Sequence, residues 1–185
     1  IEQKAHGETD LIDYAWYVGA TGNNEDGVYT DFSDQYIEEG RWENGWDTKF
    51  TDLVKEIKPG DRIALIASYT KKRGLPFENN GKTVSVMSTK AIGIVTENLG
   101  DGKNIKVEWT KVDPVKEWFG AGVLRTTLHL VKASDGFIKQ QLLKFTFLGC
   151  PQDYALCEEQ YSLNDEAEET AEMLDEETVT RLTGG

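Results

Sequence analysis

The sequence predicts an α+β fold, a small mixed β-barrel flanked by helices, and three observations lead there. Apolar runs of strand type are short and are separated by Gly-, Asn- and Asp-rich turns, as where YAWYVGA meets TGNNEDG. Segments with helical spacing are few and do not alternate with the strands, which argues against a doubly wound parallel sheet. A chain of 185 residues with 38% hydrophobic content suits one packed body with appendages.

Taken in order, residues 1–13 (IEQKAHGETDLID) are polar and patternless and read as a linker. Ile1 stands where an initiator Met would, and Gly184-Gly185 closes the chain, so a segment cut from a longer protein is expected. YAWYVGA, from Tyr14, is the first strand, and TGNNEDG is loop chemistry. TDFSDQYIEEG predicts a short helix capped by Asp31 or Ser33 and stopped by Gly40. GRWENGW reads as a loop. DTKFTDLVKEI has the clearest helical pattern, with Phe50, Leu53, Val54 and Ile57 on one face.

Lys58-Pro59-Gly60-Asp61 ends that helix, and RIALIASYT is a mostly buried strand. KKRGLPFENNG is a loop. TVSVMSTKAIGIVTEN is a long β stretch with Gly93 a candidate bulge, and IKVEWTKV returns after the LGDGKN turn. Asp113-Pro114 is expected to break the chain. RTTLHLV is another strand, and SDGFIKQQLLKFTF is a helix capped by Ser134 or Asp135. GCPQDYALC reads as irregular. SLNDEAEETAEMLDEETVTRLTGG has weak helical spacing and reads as an acidic helix or linker. The expected organisation is therefore 1–13 linker, 14–150 folded domain and 151–185 acidic segment.

The net charge of −13 is unevenly spread. Residues 151–185 hold 11 acidic residues and one basic residue, Arg181, which leaves the body near −3. A near-neutral body gains little from phosphates unless its cations cluster, so nucleic-acid affinity should lean on a pocket. No apolar run reaches membrane-spanning length. Cys150 and Cys157 lack a paired motif, and His6 and His129 lie far off. Two reduced thiols in a cytoplasmic protein, with no metal and no cofactor, are expected.

Catalytic motifs are missing. Gly19-Ala20-Thr21-Gly22 is too short for a dinucleotide fingerprint, and Gly81-Lys82-Thr83 lacks the upstream glycine and following helix of a P-loop. Asp47 and Asp61 have plain readings as a helix cap and a turn residue. The aromatic residues carry more. Trp42 and Trp46 bracket Glu43-Asn44-Gly45 in a polar loop, where an indole suits a pocket wall for a flat π-rich ligand. Trp46 equally suits packing beside the helix it precedes. Trp16, Trp109 and Trp118 are pocket or core candidates. Ser68-Tyr69-Thr70 ends a buried strand, where hydroxyls at a barrel rim read a base edge or simply lead into a loop.

This order of motifs, YAWYV, GRWENGW, IKPGDRIALIASYT, SVMSTKAIGIVTEN and VEWTKVDPVKEWF, resembles EVE domains. It is most similar to the EVE-like specificity domains joined to McrB-type restriction motors, over residues 14–150. The resemblance implies a PUA-like barrel related to YTH readers, whose pocket accepts a modified base extruded from DNA, usually a modified cytosine. Trp42 then matches the tryptophan of the family's pocket loop, with Glu43 where the family has Asp and Asn44 and Gly45 following. Ser68 and Tyr69 match the strand end that closes the pocket. Gly19 and Ala20 stand where many EVE domains carry Lys and Ser. The implied partners are modified duplex DNA, a GTP-driven AAA+ motor in the parent chain and a separate nuclease subunit. The isolated domain would not be an enzyme. A modified-RNA reader and an assembly domain without a pocket are the alternatives.

Overall fold

The computed structural model describes residues 12–162. Eight strands and four helices follow one another: β1 (Tyr14–Gly19), β2 (Thr21–Asn23), β3 (Tyr29–Asp31), α1 (Ser33–Glu39), β4 (Arg41–Glu43), α2 (Thr51–Lys55), β5 (Arg62–Lys71), β6 (Val84–Asn98), β7 (Asn104–Phe119), β8 (Leu128–Lys132), α3 (Phe137–Leu148) and α4 (Tyr154–Gln160). Six strands form one curled half-barrel sheet in the order β4-β7-β6-β5-β1-β8, while β2 and β3 make a separate hairpin. The architecture is mixed α+β. Among the described residues no helix is long and apolar enough to cross a membrane.

The central strands β1 and β5 are buried on both sides over residues 15–18 and 63–66, and this explains their sequence. One face carries Trp16, Val18, Ile63 and Leu65 against α1, β4 and α2, with Trp42, Val54 and Ile57 filling the layer. The other carries Ala15, Tyr17, Ala64 and Ile66 against Leu142, Leu143 and Phe145 of α3. A strand covered on both faces needs an unbroken apolar run, and AWYV and IALI are such runs. The pairing of β1 with β5 is parallel, Trp16 opposite Ile63 and Gly19 opposite Ile66, whereas the other pairs of this sheet are antiparallel.

Several expectations need correction. GRWENGW is not all loop: Arg41–Glu43 pairs with β7, Trp42 opposite Ile105, and Trp42 is fully buried. The helix expected from Asp47 starts only at Thr51, because Phe50 takes a left-handed φ of 67°. Asp113-Pro114 does not break the strand. Thr89 pairs with Lys116 and Ala91 with Lys111, so residues 112–115 bulge out of the ladder and the proline needs no N–H partner there. The helix after β8 begins at Phe137 without a side-chain cap from Ser134 or Asp135.

GCPQDYALC is not irregular throughout either. Asp153 caps α4 by accepting from the Ala155 N–H at 3.0 Å. Cys157 and Tyr161 then join Phe77, Val84, Val86 and Phe119 in a third cluster at the far end of the sheet. The packed body thus runs on past residue 150, and at its start it takes in Ile12, buried within the stretch read as linker. The expectations for residues 1–11 and 163–185 lie outside the described residues.

Gly93 is no bulge. It sits in register between Ile63 and Trp109 and marks a close approach. A Cβ there would lie 2.6 Å from the Glu108 carbonyl oxygen and 2.8 Å from Val107 Cγ1. Because the first of these is backbone in the next strand, the clash cannot be relieved by a rotamer change. Gly93→Ala is expected to destabilise the fold by about 1–3 kcal/mol. Urea unfolding checks this, and an unchanged midpoint would mean the strands part freely.

Candidate functional site

β1 and β5 run the same way, so their ends open on the same side of the sheet. A cleft of about 720 Å³ lies there, walled by the turn from β1 into β2, by Ile66–Ser68 of β5, by the loop 124–127 and by the loop 45–50. Small-molecule sites commonly span about 300–1,000 Å³. The β2–β3 hairpin stands on one lip and presents Tyr29, 72% exposed, whose hydroxyl donates to Thr21 Oγ1 at 2.8 Å. Trp46 stands on the loop 45–50, 48% exposed, with its indole N–H donating to Thr127 Oγ1 at 3.0 Å. Phe32 and Tyr36 stack on each other at 5.9 Å and add a second aromatic wall.

The loop bearing Trp46 is held by Asn44, which is fully buried. Its amide donates to the carbonyls of Lys49 at 2.9 Å and Gly102 at 3.3 Å, and its Oδ1 accepts from the Trp46 N–H at 3.0 Å. This closes residues 44–50 into a tight loop and brings Phe50 to its left-handed conformation, a strain of the kind that gathers at functional sites. Lys49 places its ammonium 5.0 Å above the Trp46 ring and 5.1 Å above the Phe50 ring. The two rings are therefore fixed with a cation between them, at the edge of the cleft.

The hairpin is tied back to the sheet. Lys90 of β6 donates to Asp31 at 2.6 Å and to Ser33 Oγ at 3.2 Å. Burial alone would raise the Asp31 carboxyl, but the bonds from Lys90 and Ser33 outweigh it and hold the group below its ordinary range. Burial, helped by the charge of Glu43, pushes the Tyr36 hydroxyl up to about 12. The floor and rim offer further hydroxyls from Thr21, Ser68, Thr126 and Thr127. The chemistry on offer is stacking, hydroxyl hydrogen bonding and two cations, Lys49 and Arg125, beside one carboxylate, Glu43.

Of the residues singled out from the sequence, Gly19, Ala20, Trp46 and Ser68 line the cleft. The others do not meet there. Trp42 lies beneath it: its indole N–H donates to the Gly19 carbonyl at 2.8 Å, so it supports the rim from within the core. Asn44 is buried under the Trp46 loop. Tyr69, one residue past Ser68, points to the opposite face and donates to Glu117. Trp109 packs at the edge of the first core and donates to the Arg41 carbonyl at 3.1 Å. Trp118 belongs to the second core, edge-on to Phe145 at 5.3 Å. Trp16 is buried and donates to Asp61 at 2.8 Å. The pocket candidates Trp42, Ser68, Tyr69, Trp109 and Trp118 therefore do not converge: strand alternation sends Ser68 and Tyr69 to opposite faces, and the three tryptophans pack in or against the cores.

The sequence does not single out Tyr29, Phe32, Lys49, Phe50 or Arg125 as site residues. Tyr29 and Phe32 carried a faint signal, two aromatics in the otherwise polar stretch DGVYTDF. Lys49 and Phe50 fall within the helical pattern, and Arg125 within the RTTLHLV run, whose strand begins only at Leu128. A scan against protein-family models and a search of the curated proteins both return no match to this chain.

Proposed function

We propose that this protein is a base-reading module of PUA-like, EVE-type architecture, and that the cleft between the β2–β3 hairpin and the Trp46 loop receives one modified base extruded from duplex DNA. The observation that carries the reading is the cleft itself. Exposed aromatic rings on two separate supports, Tyr29 and Trp46, face a space large enough for one nucleotide, with hydroxyls along its floor. Extruding a base costs a few kcal/mol, and stacking with edge hydrogen bonds is the chemistry that offsets it. An open aromatic cleft favours a reader over an assembly domain that has lost its pocket.

With the sequence resemblance, the proposed ligand is a modified cytosine such as 5-methylcytosine or 5-hydroxymethylcytosine. The proposed context is a cytoplasmic McrBC-like restriction system, its AAA+ motor elsewhere in the parent chain and its nuclease a separate subunit. The test is a titration of duplexes that differ only in one modified base, with wild type and Trp46→Ala. Loss of one stacking face is expected to weaken binding of the modified duplex by about 1–3 kcal/mol and to shrink its preference over the plain one. Stability should change little, since the ring is half exposed. Equal binding by both proteins would remove Trp46 from the site, and tighter binding of modified RNA than of DNA would reassign the partner.

A further inference from the structure

Most of the net charge of −13 lies in residues 151–185, and a body near −3 gains little from phosphates unless its cations cluster, so a nucleic acid that reaches the cleft needs a confined cationic path beside it. Such a path leaves the cleft along β5. Ser68 lines the cleft and donates to the Leu124 carbonyl, which fixes the 124–127 loop against the strand. The next residue of that loop, Arg125, also lines the cleft and extends to Ser85 Oγ, and Ser85 is the strand partner of Thr70. The Arg125 guanidinium therefore sits two residues further along β5 than the cleft floor. β5 ends at Lys71, and the exposed Lys72 and Arg73 follow at once.

From Ser68 to Lys71 the strand advances about 10 Å, which matches about three nucleotides at about 3.4 Å rise each. The carboxylate of Glu117 beside β5 is already engaged: it holds Lys71 at 2.9 Å and accepts from Tyr69. Among the described residues, Arg125, Lys72 and Arg73 enter no ion pair, whereas Arg41, Lys71, Lys90 and Lys103 each do.

We infer that Arg125, Lys72 and Arg73 form a phosphate track that leads the DNA backbone away from the cleft along the end of β5. The inference rests on the base-reading proposal for the cleft, shares only Arg125 with it, and has a different readout. Phosphate contacts set affinity and its salt dependence without reading sequence or modification. The variants are Lys72→Gln/Arg73→Gln and Arg125→Gln, with Lys55→Gln/Lys58→Gln as an equal charge change at a distant exposed site. Each is titrated by fluorescence anisotropy against DNA duplexes with and without one 5-methylcytosine, and against an RNA duplex of the same sequence, across a range of KCl, with thermal melts alongside.

The slope of log affinity on log salt is negative and is expected to become shallower by about 0.9 for each phosphate contact removed. The Lys72→Gln/Arg73→Gln pair, which lies outside the cleft, should weaken modified and plain duplexes by the same factor, and the distant pair should leave the slope at the wild-type value. A wild-type slope in the track variants, or the same slope change in the distant pair, overturns the track. A slope change seen with RNA but not with DNA also overturns it, as does absence of salt-dependent binding by the wild type. Failure of the cleft reading looks different: wild type then shows no preference for the modified duplex, while the track variants still lose slope.

Discussion

Trp42→Ala will melt on the order of 10 °C below the wild type. The residue is fully buried between the sheet and α2, in contact with the cluster of Trp16, Val54 and Ile105. Truncating a buried tryptophan removes its transfer free energy and leaves a cavity that this rigid layer cannot close, about 3–5 kcal/mol in all. For a domain of this size each kcal/mol shifts the midpoint by roughly 2–4 °C. The same change releases the Gly19 carbonyl, which the indole N–H holds at 2.8 Å at the cleft rim. Ligand binding should therefore fall with stability. Trp42→Phe, which fills most of the space but lacks the N–H, separates the two effects. A melt within a degree of the wild type for Trp42→Ala would place the ring in solvent.

Asp61 gives the second large effect. This buried carboxylate accepts from the Tyr14 hydroxyl at 2.5 Å, the Trp16 indole at 2.8 Å and the Lys58 N–H at 2.9 Å. It sits in the turn before β5 and ties that turn to β1, and its own backbone carbonyl accepts from Val95 of β6. Asp61→Ala leaves the Trp16 N–H and the Lys58 N–H without an acceptor and should cost about 2–4 kcal/mol. Asp61→Asn keeps one acceptor oxygen and should cost less.

The hydrogen bond to Asp61 raises the Tyr14 hydroxyl above its ordinary value of 10. A raised tyrosine contributes stability that is present below pH 10 and is lost as pH rises through the folded value. In Asp61→Asn the Tyr14 titration, followed by ultraviolet absorbance, should move back toward 10. An unmoved titration would mean the short bond is not made.

What was legible in the sequence follows from which residues answer to local rules. The strands YAWYV and RIALIASYT read correctly because burial on both faces writes an unbroken apolar run. Gly40 stops α1 as expected, in the left-handed conformation. The errors fall where tertiary contacts override the local pattern. The spacing of Phe50, Leu53, Val54 and Ile57 is helical, yet Asn44 pulls the backbone at Lys49 and delays the helix to Thr51. Trp42 lies among loop-forming residues, yet three residues of pairing with β7 are enough to bury it. Asp113-Pro114 has turn chemistry, but a bulge absorbs it.

The site was half legible for the same reason. Gly19, Ala20, Trp46 and Ser68 could be placed because they sit at ends of recognisable elements. Tyr29 and Arg125 owe their position to a hairpin and a loop whose course depends on distant partners, Lys90 and Ser68. No periodicity reports such contacts.

The parallel pairing of β1 with β5 has a consequence of its own. Two neighbouring parallel strands cannot be joined by a tight turn, and the chain must travel back the length of the sheet before the second can begin. Here that journey occupies residues 20–61 and crosses to the far edge, where β4 joins β7, before returning. Most of the cleft's wall, from Ala20 to Phe50, is met on this one excursion. The return path that topology demands thus doubles as a recognition cassette, contiguous in sequence and seated on a sheet whose other strands are joined without it. Its tip, the turn at Asn24–Gly27 closed by the Asn24 side chain, stands clear of all three hydrophobic clusters. New ligand preferences could be written there, one hairpin length at a time, while the scaffold stays the same.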